Sequence, residues 1–179
     1  MSFDYQPTLK GALVELRPLG SQDYEELHAA AADPLIWEQH PVPNRHEEPV
    51  FKAFFRDSLA SGGALVATDI TSQRIIGSSR FHGYNEERSE VEIGWTFLSR
   101  AYWGGIYNRE IKRLMLGHAF RFVHRVVFLV GLQNVRSQRA VERIGATRAG
   151  ARPDDGGHES YVYQITPAAF EDQTGFEFP

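Results

Sequence analysis

EIGWTFLSRAYWGGIYN, residues 92–108, decides the fold. Val91 to Phe97 is strand-like. A short break and the glycine pair Gly104-Gly105 follow, and then a strong helix begins. The first N–H groups of a helix have no intrahelical partner and point outward. The helix dipole adds partial positive charge at that end. Glycine lets the backbone approach an anion closely. The stretch therefore reads either as a phosphate cradle or as an ordinary strand-to-helix turn, and a glycine pair alone does not separate the two.

Working outward, Ile111, Leu114, Met115, His118 and Phe122 fall on one face of a helix predicted over Tyr107–Val123. Val126 to Gly131 is a short β-branched run closed by glycine, which predicts a buried strand. Asn134-Val135-Arg136-Ser137 opens a second helix to Ile144, with Gly145 as its stop. Upstream, Leu13–Leu19 alternates as a half-buried strand. Ser21 reads as the N-cap of a helix from Gln22 to Ala32. Pro34, Pro41 and Pro43 break the chain. Glu47–Ser61 is helical, with Val50, Phe51, Phe54, Phe55 and Leu59 as its apolar stripe, stopped at Gly62-Gly63. Ala64–Ile70 and Ile75–Tyr84 pair as a hairpin, Glu90–Phe97 is the next strand, and Glu159–Ile165 is the last. The prediction is one α/β domain over 1–179 with its core at 13–165. Its sheet is mixed and mostly antiparallel, of six or seven strands, with helices on both faces.

Composition sets outer limits. At 179 residues the chain suits one domain with a sizeable core. It has no cysteine, which excludes disulfides, thiolate metal ligands and a cysteine nucleophile. The net charge of −4 gives no electrostatic footprint for nucleic acid. No apolar run approaches a membrane span, and the N-terminus does not read as a signal peptide, so a cytoplasmic location is expected. The histidines show no metal-ligand spacing, so no metal is expected.

The order EIGW, YWGG, long helix, VVFLVG and NVRSQRAVERIGA resembles the GNAT acyltransferase superfamily over Val14–Ile165. Within it the chain looks like the branch that includes the ribosomal-protein N-terminal acetyltransferases. The resemblance implies a sheet splayed between its fourth and fifth strands, acetyl-coenzyme A as cosubstrate and an amine acceptor. A homodimer stays open. It also implies that Trp103, Gly104, Gly105, Ile106, Tyr107 and Asn108 hold the pyrophosphate. Ile106 and Asn108 depart from the family pattern, where glycine and then glycine or alanine are usual. A β-branched residue tolerates φ > 0 poorly, so Gly105 is expected to supply the missing freedom. The departure leaves a non-catalytic acyl-coenzyme A sensor as the alternative function.

Further expectations follow from the resemblance. Phe97 and Leu98 offer backbone partners to the pantetheine arm, and Asn134 and Arg139 contact the coenzyme. Ser137 stands near the leaving thiolate, although serine there can equally cap or pack its helix. Glu92 is the candidate base, with Glu90 on the same face expected to raise its pKa. His82 is the rival base. The segment Trp37–Arg45 falls where relatives place a substrate-facing loop. It selects no particular amine.

Overall fold

The computed structural model describes residues 2–178. Eight strands form one sheet: β1 (Leu9–Lys10), β2 (Val14–Pro18), β3 (Ala64–Asp69), β4 (Ile75–Asn85), β5 (Glu90–Leu98), β6 (Arg125–Gly131), β7 (Thr147–Pro153) and β8 (Glu159–Ile165). The order is β1-β2-β3-β4-β5-β6-β8-β7. Every neighbouring pair is antiparallel except β5 and β6. The sequence predicts six or seven strands. It misses β1, which has two residues, and β7, whose TRAGARP is exposed throughout and shows no apolar alternation.

Helices α1 (Tyr24–Ala31) and α2 (Glu48–Ser61) cover one face of the sheet, around Leu27, Trp37, Phe51, Phe54, Val66 and Phe97. Helices α3 (Ile106–Ala119), α4 (Val135–Arg143) and α5 (Pro167–Thr174) cover the other, around Ile93, Ile111, Met115, Phe128, Val141 and Phe170. The core thus reaches beyond 13–165, to Phe3 and Phe170. No helix among the described residues is long and apolar enough to cross a membrane.

Two helix boundaries differ from the prediction. A 3-10 turn, Ser21–Asp23, precedes α1, and the cap is Asp23 rather than Ser21. The Asp23 carboxylate accepts the Gly20 N–H at 2.8 Å and binds the Arg17 guanidinium at 2.7 Å. Helix α3 stops at Ala119 instead of Val123. The N–H groups of Phe122 and Val123 both turn back to the Ala119 carbonyl, so the chain can enter β6.

Strand β5 carries a bulge. Arg80 faces Gly94 and Ser78 faces Phe97, so Trp95 and Thr96 together oppose Ser79. Trp95 has φ 51°, which a bulky residue adopts only under constraint. The extra residue reverses the alternation. Val91, Ile93 and Leu98 pack toward α3, while Trp95 and Phe97 pack toward α1 and α2.

One carboxylate ties α3 to the start of the sheet. Glu110 accepts the backbone N–H groups of Ala12, Leu13 and Val14 at 3.0, 2.7 and 2.8 Å. We expect Glu110→Ala to lower unfolding free energy by about 2–4 kcal/mol, read by urea denaturation, because three donors lose a charged partner.

Candidate active site

Strands β5 and β6 are in register for only three pairs, Glu90↔Arg125, Val91↔Val126 and Glu92↔Val127. Beyond Glu92 the two strands part. From Ile93 onward β5 keeps β4 as its partner on one side and faces an opening on the other. Backbone groups freed in this way need hydrogen-bond partners. Phe97 and Leu98 lie on this open length, but the Leu98 carbonyl already accepts Trp103 Nε1 at 2.9 Å.

The glycine turn closes the wide end of the opening. Gly104 and Gly105 have φ 113° and 102°, and a Cβ added to either meets nothing within 4 Å. The first backbone bond of α3 runs from the Arg109 N–H to the Gly105 carbonyl. The N–H groups of Ile106, Tyr107 and Asn108 therefore have no helical acceptor. Ile106 is the first helical residue and is not left-handed. Its departure from glycine costs no backbone strain, because Gly104 and Gly105 carry the positive φ. Open space plus free donors fit a pyrophosphate. Trp103 lies beside two guanidinium groups, Arg136 at 4.4 Å and Arg100 at 5.8 Å from its ring. The exposed large hydrophobics among the described residues are Leu35, Trp103, Ile106, Leu132 and Val135. Trp103 and Ile106 belong to the glycine turn, and Leu132 and Val135 follow the end of β6. Leu35 is joined to them through Arg136, whose Nη2 donates to the Leu35 carbonyl at 3.5 Å.

Glu92 sits at the vertex where pairing ends, 7% exposed, on the α1/α2 side of the sheet. Burial pushes its carboxyl up to about 7, with Asp155 and Asp154 adding to the rise and Arg152 and Arg80 opposing it. The like charge comes from the β7–β8 turn and not, as the sequence suggests, from Glu90. Glu90 is held by Arg125 at 2.7 Å. His82 faces Glu92 across β4 and β5 and binds Asp155 at 3.0 Å. Glu92, His82, Asp155, Val127, Leu129 and Arg152 line a cleft of about 300 Å³.

At the other end, Asn134 caps α4, its Oδ1 accepting the Ser137 N–H at 3.3 Å. Ser137 lies half-buried in that first turn, just beyond β6. Arg139 points outward as an exposed residue of α4.

These features have relatives. The family model for the acetyltransferase (GNAT) domain matches residues 14–147, well over half of the chain. The chain belongs to the GNAT acetyltransferase family. An acetyltransferase structure from T. thermophilus is similar at 27% identity, covering 97% of this chain and 98% of that one, with a TM-score of 0.76. A GCN5-related N-acetyltransferase from Brucella melitensis shares the fold at 18% identity, 95% and 85% coverage and a TM-score of 0.79. Spermidine N-acetyltransferase from Vibrio cholerae, solved with CoA and spermine, shares it at 15% identity, 89% and 99% coverage and a TM-score of 0.65. No curated protein matches the chain.

In this acetyltransferase the segment Trp37–Arg45 is partly core. Trp37 is buried, its Nε1 donates to the Ala31 carbonyl at 2.9 Å, and its ring packs on Phe97. Burial and the nearby Arg45 hold His40 down to about 3, so it is neutral at pH 7. Arg45 lies over the Phe54 ring at 4.6 Å. Sequence reasoning missed Arg80, a buried guanidinium stacked on Trp95 at 4.2 Å. Arginine in a strand reads as surface, and no local signal marks it otherwise. It missed Lys112 as well. This lysine is buried, donates to Thr96 Oγ1 at 2.8 Å, and is pushed down to about 7 by burial.

The raised Glu92 pKa has a stability signature. The unfolded chain releases this proton near pH 4.5, whereas the folded protein keeps it up to about pH 7. Between those values the folded state binds more protons, so stability falls as pH rises. We expect Glu92→Gln to be near neutral at pH 4 and stabilising by about 2–3 kcal/mol at pH 8, read by urea unfolding at both.

Proposed function

We propose that this protein transfers an acetyl group from acetyl-coenzyme A to a primary amine by direct attack in a ternary complex. The observation that carries the proposal is the opening between β5 and β6, with a buried carboxyl of neutral pKa at its vertex. The coenzyme supplies an activated acyl group on sulfur. Trp103 to Asn108 bind its pyrophosphate through free N–H groups. The arm takes the place of the missing strand partner along β5. The amine arrives from the α1/α2 side, where Glu92 lies.

An ammonium must lose a proton before its nitrogen can form the new C–N bond as the C–S bond breaks. Glu92, ionised above about pH 7, accepts that proton directly or through water. The departing sulfur gains one proton, and Ser137 in the first turn of α4 is the group assigned to it. His82 remains the rival base, opposite Glu92 in the same cleft. The likeness to the ribosomal-protein branch makes a protein N-terminus one acceptor to assay. The sensor alternative loses its motivation, because Ile106 is helical and the cradle is open.

Calorimetry with acetyl-coenzyme A should show binding that Gly105→Val weakens by at least about 10-fold, since a β-branched residue resists φ 102°. Absence of binding at millimolar coenzyme rejects the acyltransferase reading. In steady-state assays kcat/KM should rise with pH to a plateau above about 7. Glu92→Gln should cut it about 100-fold at pH 7 and less at pH 9, where free amine is abundant. A rising limb abolished by His82→Ala instead would move the base to His82. Ser137→Ala should lower kcat about 10- to 100-fold with little change in coenzyme Kd, and an unchanged kcat would return Ser137 to helix packing.

A further inference from the structure

Two guanidinium groups occupy the α1/α2 side of the sheet, Arg80 close to Glu92 and Arg45 close to Arg80, and neither has an ion-pair partner among the described residues. Arg80 is 6% exposed. Its Nη2 donates to Ser58 Oγ at 2.7 Å, its plane lies on Trp95, and its Nε has no hydrogen-bond partner. Arg45 lies over Phe54 and Trp37 at 4.6 and 5.4 Å, and its Nε also has no partner. The two act on each other as like charges, and burial disfavours both. His40, the polar side chain nearest Arg45, is neutral and carries no counter-charge. Asp57, Asp155 and Glu92 act on Arg80, and Asp154 and Asp57 on Arg45, only from beyond contact distance. A buried charge without a partner is expensive, and an incoming anion would remove the expense.

The register says where such an anion would lie. Arg80 faces Gly94 across β4 and β5, and Glu92 is two residues from Gly94 on the same side. Such diagonal neighbours stand about 7–8 Å apart. Gly94 has no side chain, and a Cβ there would meet Glu92 Oε1 at 3.1 Å, so the Glu92 carboxyl leans over Gly94, the residue opposite Arg80. A small molecule whose amine and oxyanion are a few bonds apart would meet both groups.

We propose that the acceptor is a small amine bearing an acidic group, carboxylate or phosphate, held by Arg80 and Arg45 while its nitrogen faces Glu92. The proposal rests on the acyltransfer reading for the amine chemistry. The arginines supply the selectivity. Planar guanidinium forks suit both oxyanions.

The test uses the full chain with saturating acetyl-coenzyme A and acceptors in matched pairs. Amino acids are compared with their carboxamides, and ethanolamine phosphate with ethanolamine. Spermidine and a neutral tripeptide complete the panel. The acidic member of a pair should exceed its neutral partner in kcat/KM by about 10-fold or more, the worth of one charged hydrogen-bonded contact. Arg80→Gln and Arg45→Gln should each bring that ratio toward one while leaving the Kd for acetyl-coenzyme A unchanged. The carboxylate and phosphate pairs identify which oxyanion the site prefers. Neutral or cationic amines used equally well or better would overturn the proposal, as would an acid preference that survives both substitutions. A second readout separates this proposal from acyl transfer itself. If no amine is acetylated, acidic amines should still raise the melting temperature of the wild type and not of Arg80→Gln, and failure to raise it overturns the site.

Discussion

Parallel pairing between β5 and β6 that ends after Glu92 and Val127 is the constraint on which the rest of the molecule depends. Continued pairing would satisfy the backbone and leave no room for a ligand. The bulge at Trp95 and Thr96 turns β5 further along β4, away from a straight run beside β6. With the strands apart, each face of the sheet can be reached from the opening. The glycine turn and α3 close the wide end, and α4 begins at the end of β6. The acid at the vertex is buried because strands and the β7–β8 turn surround it.

The bulge also sets which side chains share the acceptor face. Without the extra residue, Thr96 would follow Glu92 and Gly94 on the α1/α2 side. With it, Trp95 and Phe97 take that side, and Thr96 turns inward to Lys112. Trp95 then provides the surface on which Arg80 stacks. A single left-handed residue thus supports the aromatic wall and the buried charge together.

Much of the fold was legible in the sequence because its signals are local. Periodicity marked α2, the body of α3, β5 and β6, and the glycine pair marked the turn between them. The alternating signal failed at β7, where every residue is exposed, and helix α5 was not anticipated. The bulge is invisible in EIGWTFL, which reads as one continuous strand. The candidate site was only half legible. Glu92 stood out by its place on the strand before the glycine turn. Its acidic neighbours come from Asp154 and Asp155, far along the chain, and the nearer Glu90 is neutralised by Arg125. Arg80, Arg45 and Lys112 look like ordinary surface charges until tertiary packing buries Arg80 and Lys112 and half-buries Arg45.

Lys112 and Glu92 lie on opposite sides of the same strand, and both titrate at about 7. Their effects on folding have opposite slopes. Glu92 withdraws stability as pH rises from 4.5 to about 7, whereas Lys112, neutralised early by burial, returns it from about 7 to 10.5. His40, held at about 3 by burial, returns stability between about pH 3 and 6.5 and offsets most of the Glu92 loss, so the three groups together leave the profile nearly level up to neutrality and raise it above, through Lys112.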